Sequence, residues 1–392
     1  MEAEPRALVC GAGPGGLAAA AALKRAGVPA LVLERAERVG ESWRRRYEGL
    51  SLNTLGWLSG LPGYRAKLRR YGEYPTREKW IEYLEDYAAH HGLEIEFGTE
   101  VERIDRANGG WRVGTSAGAR EAPIAVVAMG SDHKPWMPDW PGREGFQGEL
   151  LHAADYRSPK PFHGRDVLVV GPGNTGSELA TLLTNGGATR VRAAMRTPPN
   201  IFPRKWLGLS LNLTALGLEW LPRGAADAVG RATQRMIYGN LSEHGLPFPQ
   251  LGLRSSLEQK RIAPAIDAGF VEAVKAGRIE LVPTIERFEG RDVLLVDGTR
   301  IQPDAVIAAT GYRRGLEPLV GHLGVLDERG FPAGAFERGV LEQPHAPGLF
   351  FIGYRAKISG QLRLMRIDSR RIARLVKRRV RTRQPRRAAA PA

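Results

Sequence analysis

Two segments of this chain repeat one pattern, and that pattern constrains the fold more than any other feature. Each is a short apolar strand, a GxGxxG loop, a helix of small residues and a second strand. The first runs from Ala7-Leu8-Val9-Cys10 through Gly11-Ala12-Gly13-Pro14-Gly15-Gly16 to Ala30-Leu31-Val32-Leu33-Glu34. The second runs from Val167-Leu168-Val169-Val170 through Gly171-Pro172-Gly173-Asn174-Thr175-Gly176 to Val191-Arg192-Ala193-Ala194-Met195-Arg196. In such a unit the first glycine permits a sharp turn, the second lets the backbone approach a pyrophosphate, and the third allows helix and strand to pack closely. The helix N-terminus then offers N–H groups to the phosphates. A lone glycine motif is weak evidence in a chain with 48 glycines, but the strand before and the helix after are the context the motif requires. The expected fold is α/β, with two Rossmann-like dinucleotide-binding domains.

The residue closing each second strand separates the ligands. Glu34 lies 18 residues after Gly16, where a carboxylate accepts hydrogen bonds from a ribose and repels a 2′-phosphate. Arg196 lies 20 residues after Gly176, where a guanidinium pairs with that phosphate. FAD or NAD suits the first site and NADP the second.

Charge and cysteine usage exclude several classes. The net charge of +15 suggests a nucleic-acid partner, yet ten basic residues fall between Arg370 and Arg387 with no acid among them, leaving only +5 on the rest. This is expected to be a solvated tail rather than a specific nucleic-acid site. The single cysteine, Cys10, rules out an intramolecular disulfide, a CxxC redox pair and a multi-cysteine metal site. Eight scattered histidines contain no HExxH, so no metal is expected. The acidic start Met1-Glu2-Ala3-Glu4 is not expected to act as a signal peptide, and the apolar run Trp206 to Leu218 is too short to span a bilayer. A cytoplasmic protein is expected, with weak membrane-surface contact and a homodimer both left open.

Thr76 is a predicted N-cap for a helix over Trp80 to Tyr87. Glu94 to Phe97, Trp111 to Val113, Ile124 to Ala128, Ile279 to Val282, Val293 to Val296, Ala305 to Ala308 and Leu349 to Gly353 read as strands. The span Gly130 to Gly148, with three prolines, reads as a linker, and Ile201 to Leu253, rich in Leu and Trp, shows little strand pattern. The predicted division is 1–157 for the first domain, 158–298 for a second inserted into it, with an apolar insertion at about 201–253, and 299–392 for the return of the first.

Between the two glycine loops, Phe146, Gly148, His152 and Tyr156 form the pattern FxGxxxHxxxY. It resembles the fingerprint of flavin-containing monooxygenases, and nearly the whole chain is similar to that family, nearest its YUCCA-like branch. Gly40-Glu41-Ser42-Trp43, Leu50-Ser51-Leu52-Asn53-Thr54, Tyr74-Pro75-Thr76, Ala309-Thr310-Gly311-Tyr312 and Phe351-Ile352-Gly353-Tyr354 support the resemblance. It implies FAD in the first domain, NADPH in the inserted one, O2 and a small-molecule substrate. It also implies that Gly11, Gly13, Pro14, Gly15 and Gly16 hold the FAD pyrophosphate, that Glu34 holds its ribose, and that Arg35, Ser42, Trp43, Asn53, Thr54, Val101, Gly130, Gly311 and Gly353 lie along the cofactors. Gly171, Gly173, Asn174, Thr175 and Gly176 would hold the NADPH pyrophosphate, and Arg196 with Thr197 its 2′-phosphate. Asn53 is the candidate catalytic residue, near the flavin C4a position. His152 is assigned to the domain linker and Tyr156 to packing.

The chemistry the resemblance implies is oxygenation through a C4a-(hydro)peroxyflavin, with the protein supplying order and dryness. N- or S-oxygenation and YUCCA-like oxidative decarboxylation of a 2-oxo acid stay open, because Leu52-Asn53-Thr54-Leu55 stands where YUCCA enzymes carry Leu-His-Leu-Pro. A Baeyer–Villiger enzyme is the alternative, although its fingerprint usually ends in Trp where Tyr156 stands. The alternative of another class is a non-catalytic flavoprotein that binds partners through the basic tail.

Overall fold

The computed structural model describes residues 7–383. Ten strands build its two large sheets: β1 (Ala7–Cys10), β2 (Ala30–Leu33), β3 (Glu94–Glu96), β4 (Ile124–Val127), β5 (Glu149–His152), β6 (Asp166–Val170), β7 (Arg190–Ala194), β8 (Glu280–Val282), β9 (Ala305–Ala308) and β10 (Leu349–Phe351). Both sheets are parallel and five-stranded, ordered β10-β4-β1-β2-β3 and β8-β7-β6-β9-β5. Strands covered on both faces need unbroken apolar runs, and β1, β4 and β9 are buried at every residue. In each sheet the strand preceding a glycine loop, β1 or β6, pairs with its successor on one side and with a later strand on the other. Such a reversal of strand order opens a crevice at the carboxyl ends.

Six helices position the rest: α1 (Pro14–Arg25), α2 (Arg77–His91), α3 (Asn174–Asn185), α4 (Leu211–Leu218), α5 (Arg223–Tyr238) and α6 (Gln361–Arg383). The small side chains of α1, Ala18 to Ala22, let another helix lie close. Ile372, Ala373 and Val376 of α6 fill the same core, each larger aliphatic side chain contributing roughly 1.5–3 kcal/mol on burial. Thr76 caps α2 as expected, its Oγ1 accepting from the Lys79 N–H at 3.3 Å.

Three expectations are corrected. β5 and β9 belong to the second sheet, whereas the division at 157/158 and 298/299 left them with the first domain. Buried alternation cannot say which sheet a short strand joins; the partner strand decides it. The basic run from Arg370, expected to be a solvated tail following a helix that reaches about Val380, continues α6 as far as Arg383, with the apolar stripe packed and Arg370, Arg371, Arg374 and Arg378 exposed, and the remainder lies outside the described residues. The 201–253 region does contain strands, Ile201–Pro203 pairing with Ala265–Asp267 and Lys205–Trp206 with Leu209–Ser210. They are too short to show a period. No described helix is long and apolar enough to cross a membrane.

Candidate active site

The β1–α1 loop is built for close approach. A Cβ on Gly16 would fall 1.8 Å from the Gly11 carbonyl oxygen, and Gly11 itself sits at φ +107. A Cβ on Gly13, by contrast, would meet no protein atom within 4 Å, so the space beside it is open to a ligand. No side chain caps the first turn of α1, which leaves its N–H groups for an anion. The β6–α3 loop repeats each feature: a Cβ on Gly176 would fall 2.1 Å from the Gly171 oxygen, Gly173 faces open space, and α3 has no side-chain cap. Both loops fit a pyrophosphate.

A cavity of about 390 Å³ runs from the first loop to the N-terminus of α3. Of the predicted residues, Gly11, Gly13, Pro14, Gly15, Glu34, Arg35, Ser42, Trp43, Asn53, Val101, Gly130, Asn174 and Thr175 line it. Glu34 accepts from the Ala12 N–H at 2.6 Å and the Ala36 N–H at 3.0 Å, which fixes its carboxylate at the end of β2. The others lie away from the cavity wall. Gly16 and Gly176 face back onto their own loops, with Gly171 and Gly173 beside the second of them. The Thr54 hydroxyl turns to Ser59 at 2.6 Å, and the Gly353 carbonyl accepts from the Gln361 amide. Arg196 and Thr197 are exposed beyond the end of β7.

Asn53, which lines the cavity, is held by groups that motif reading missed. Asn53 Nδ2 donates to Asn174 Oδ1 at 3.2 Å, so the two loop regions touch through one amide pair. Arg204 Nη2 donates to Asn53 Oδ1 at 3.2 Å and to the Ser51 carbonyl at 3.3 Å, and its guanidinium lies 5.7 Å from the Tyr74 ring. Its Nε is buried without a hydrogen-bond partner, and no carboxylate among the described residues pairs with it. Asn212, in the first turn of α4, accepts from the Leu55 N–H at 3.0 Å and donates to the Asn53 carbonyl at 3.3 Å. The 201–253 region therefore clamps the very loop that carries Asn53. Part of its apolar surface stays in solvent, with Leu207 80% and Trp220 90% exposed.

Glu178, two residues past the second glycine motif, is 7% exposed and lines the same cavity. The Tyr47 hydroxyl donates to its Oε2 at 2.9 Å. Burial raises the Glu178 carboxyl above its ordinary 4.5, against the opposing pull of Tyr47 and Arg204. Because the folded protein holds this proton more tightly than the unfolded chain, the associated stability is fully present below pH 4.5 and is lost as pH rises through the folded value. Glu178→Gln keeps an acceptor for Tyr47 but removes the ionisation. Its melting temperature should equal that of the parent near the acid end and exceed it at pH 8, by roughly 1–2 °C per kcal/mol of ionisation cost removed. Melting curves across that pH range check this, and a constant gap would refute it.

The two chain crossings between the sheets meet beside this cavity. Lys134–Pro135 pairs antiparallel with Tyr312–Arg313. His152 Nδ1 accepts from the Ala154 N–H at 3.0 Å, which places the proton on Nε2, and Nε2 donates to the Gly311 carbonyl at 3.1 Å. Burial lowers the His152 pKa below its ordinary value, keeping the ring neutral. Gly311 is thus a linker acceptor, and Tyr156 is buried against Phe162 with ring centroids 5.7 Å apart. Cys10 is fully buried and burial pushes its thiol up to about 12, which removes it as a nucleophile.

Known proteins share this arrangement. Residues 8–204 match a family model described as pyridine nucleotide-disulphide oxidoreductase. The chain is 35% identical over 359 residues to the probable indole-3-pyruvate monooxygenase YUCCA9 of Arabidopsis thaliana, covering 89% of this chain and 84% of that protein. It is 37% identical over 317 residues to the indole-3-pyruvate monooxygenase YUCCA1 of Oryza sativa subsp. japonica, covering 79% and 77%. A solved flavin-containing monooxygenase from Stenotrophomonas maltophilia superposes with a TM-score of 0.71 at 22% identity, over 95% of this chain and 98% of that one, and so shares the fold. Disulfide reduction within the matched family needs a reactive cysteine, which a single buried thiol cannot supply. The chain belongs to the class B flavin-containing monooxygenase family, nearest its YUCCA-like branch, and is an FAD- and NADPH-dependent monooxygenase.

Proposed function

We propose that the protein oxidatively decarboxylates a small 2-oxo acid. The overall conversion balances as 2-oxo acid, O2, NADPH and a proton giving the carboxylic acid one carbon shorter, CO2, NADP+ and water. The observation that carries this reading is Arg204, a half-buried guanidinium bonded to the cavity-lining Asn53, which makes no direct ion pair with any described carboxylate. Glu178 acts on it only through its field, and a substrate carboxylate would supply the paired hydrogen bonds a guanidinium fork matches. The printed names of the YUCCA relatives, indole-3-pyruvate monooxygenases, agree with an acid of this class.

In this reading the first sheet holds FAD and the second holds NADPH, the latter formed by the chain between β5 and β9. The uncapped N-terminus of α1, with Gly11, Gly13, Pro14 and Gly15, takes the FAD pyrophosphate, and Glu34 its ribose. Arg35, Ser42, Trp43, Val101 and Gly130 flank the cofactor, with Gly16, Thr54, Gly311 and Gly353 shaping the backbone behind it. Gly171, Gly173, Asn174, Thr175 and Gly176 take the NADPH pyrophosphate, and Arg196 with Thr197 the 2′-phosphate. FAD when bound supplies the oxygen-activating chemistry and NADPH the electrons. The chain's own contribution is positional. Asn53, fixed between Arg204 and Asn174, presents an amide at the reacting end, while Leu362, Met365 and Ile352 wall the cavity with apolar surface and limit water.

Arg204→Gln tests the proposal. KM for indole-3-pyruvate should rise by about 10-fold or more, with FAD content and the rate of NADPH-dependent flavin reduction spared. An unchanged KM, or equal turnover of amines and sulfides by both forms, would overturn it.

A further inference from the structure

A second concavity, about 510 Å³, opens on the other side of α6 from the active-site cavity. Gln361, Leu362 and Met365 line the active site, whereas Arg363, Arg366, Ile367 and Arg370, three and four residues apart on the opposite helical face, line this second space. Arg25, the last residue of α1, and Arg65 complete it from the facing side, together with Trp57. Five guanidiniums converge here and no carboxylate lines the concavity.

The protein leaves most of that charge unneutralised. Among the described residues, Arg25, Arg65, Arg366 and Arg370 have no carboxylate partner, and Arg363 has one, Glu219 at 3.6 Å. Arg366 is half-buried, and burial together with Arg370, Arg363 and Arg65 lowers its pKa below the usual guanidinium range. Arginine does not discharge to relieve such crowding, so the repulsion stays in the folded state. Arg363 and Arg366 also sit in the first two turns of α6, where the helix field disfavours cations. In a protein with ample solvent-facing positions for arginine, this convergence has a direct physical resolution in a bound anion.

We propose that this concavity binds an anion carrying two or more phosphate groups. Guanidinium forks match phosphate oxygens with paired hydrogen bonds, and five of them exceed what one phosphate can accept. Trp57, 51% exposed at the rim, offers an apolar wall to an organic substituent. A free phosphorylated metabolite and a phospholipid headgroup share this chemistry.

The test uses FAD-loaded full-length protein saturated with NADP+, so that the dinucleotide sites are filled. Inorganic pyrophosphate is titrated calorimetrically at about 0.15 M salt; in parallel, sedimentation is measured with phosphatidylcholine vesicles with and without phosphatidylinositol bisphosphate. The variant is Arg65→Gln/Arg370→Gln, two exposed positions outside the catalytic machinery. Pyrophosphate affinity should fall about 10-fold or more in the variant, with FAD content and NADPH oxidation unchanged. Without anion the variant should melt at the same temperature as the parent or higher, since like-charge repulsion is removed. Pyrophosphate binding lost in the variant identifies a soluble ligand. Sedimentation only with phosphatidylinositol bisphosphate, lost in the variant, identifies a headgroup. The proposal fails if neither probe binds the parent, or if the variant binds both as the parent does. Should the double variant lose FAD, Arg25→Gln on the facing helix decides by the same readings.

Discussion

Gly16→Ala is expected to yield protein that purifies without FAD and melts well below the parent. The added methyl would sit 1.8 Å from the Gly11 carbonyl oxygen, a distance no side-chain rotation can relieve, because both partners are backbone. Either α1 moves off β1, or the loop distorts. Overpacking of this kind costs about 3 kcal/mol or more, and it falls on the loop proposed to hold the pyrophosphate. Gly13→Ala separates the two consequences. Its methyl would meet no protein atom within 4 Å, so the apoprotein should fold as stably as the parent and lose affinity for FAD alone. Visible absorbance of the purified flavin and a thermal melt of each variant suffice. If Gly16→Ala retained full flavin at the parent's melting temperature, the close-packed loop would not be the determinant argued here.

The second large effect lies on the other sheet. Gly176→Ala would place a methyl 2.1 Å from the Gly171 oxygen and 3.1 Å from Ala309 Cβ, again displacing helix from strand, now at the loop proposed to hold NADPH. FAD content should be normal, while anaerobic flavin reduction by NADPH should slow by about 100-fold, the cost of misplacing reactants by an ångström or so. Dithionite should still reduce the flavin fully. Arg196→Ala bears on the same site without touching the fold, since the side chain is exposed. KM for NADPH should rise by about 10-fold or more, with little change for NADH. Slow flavin reduction by NADPH and NADH alike in Arg196→Ala would remove the 2′-phosphate assignment.

Much of the active site was legible because it rests on backbone requirements. Gly11 and Gly16, with Gly171 and Gly176 in the second loop, are constrained by close backbone approach, which only glycine tolerates, and such constraints leave a fixed spacing. Glu34 was legible because it follows a strand whose start and loop were already placed, and it lines the cavity. Glu178, Arg204 and Asn212 were not legible. Glu178 did carry a weak signal, a lone acid amid the small and apolar residues of a helix that follows a glycine motif. Arg204 and Asn212 had none, because the first is one arginine of many and the second one polar residue in an apolar stretch. Their meaning comes from contacts with Asn53 across more than 150 residues of sequence.

The domain borders show the same divide. β9 read as a strand and β5, inside the fingerprint segment, did not; both were left with the first domain, because pairing depends on which edges of β6 and its neighbours are open. The basic C-terminal run likewise had the composition of a solvated tail, and it became helix as far as Arg383 through Ile372, Ala373 and Val376 packing against the alanines of α1.

By itself the sequence determined two glycine loops between strand and helix, their order and the absence of an intramolecular disulfide, since these follow from local spacing and from a count of one cysteine. Tertiary structure alone decided which strands share a sheet, which side chains surround Asn53, and that five arginines distant in sequence converge beside α6. The reason is physical: backbone geometry and residue chemistry are local properties that leave a local record, whereas burial, charge crowding and an unpaired guanidinium exist only once distant segments are brought together.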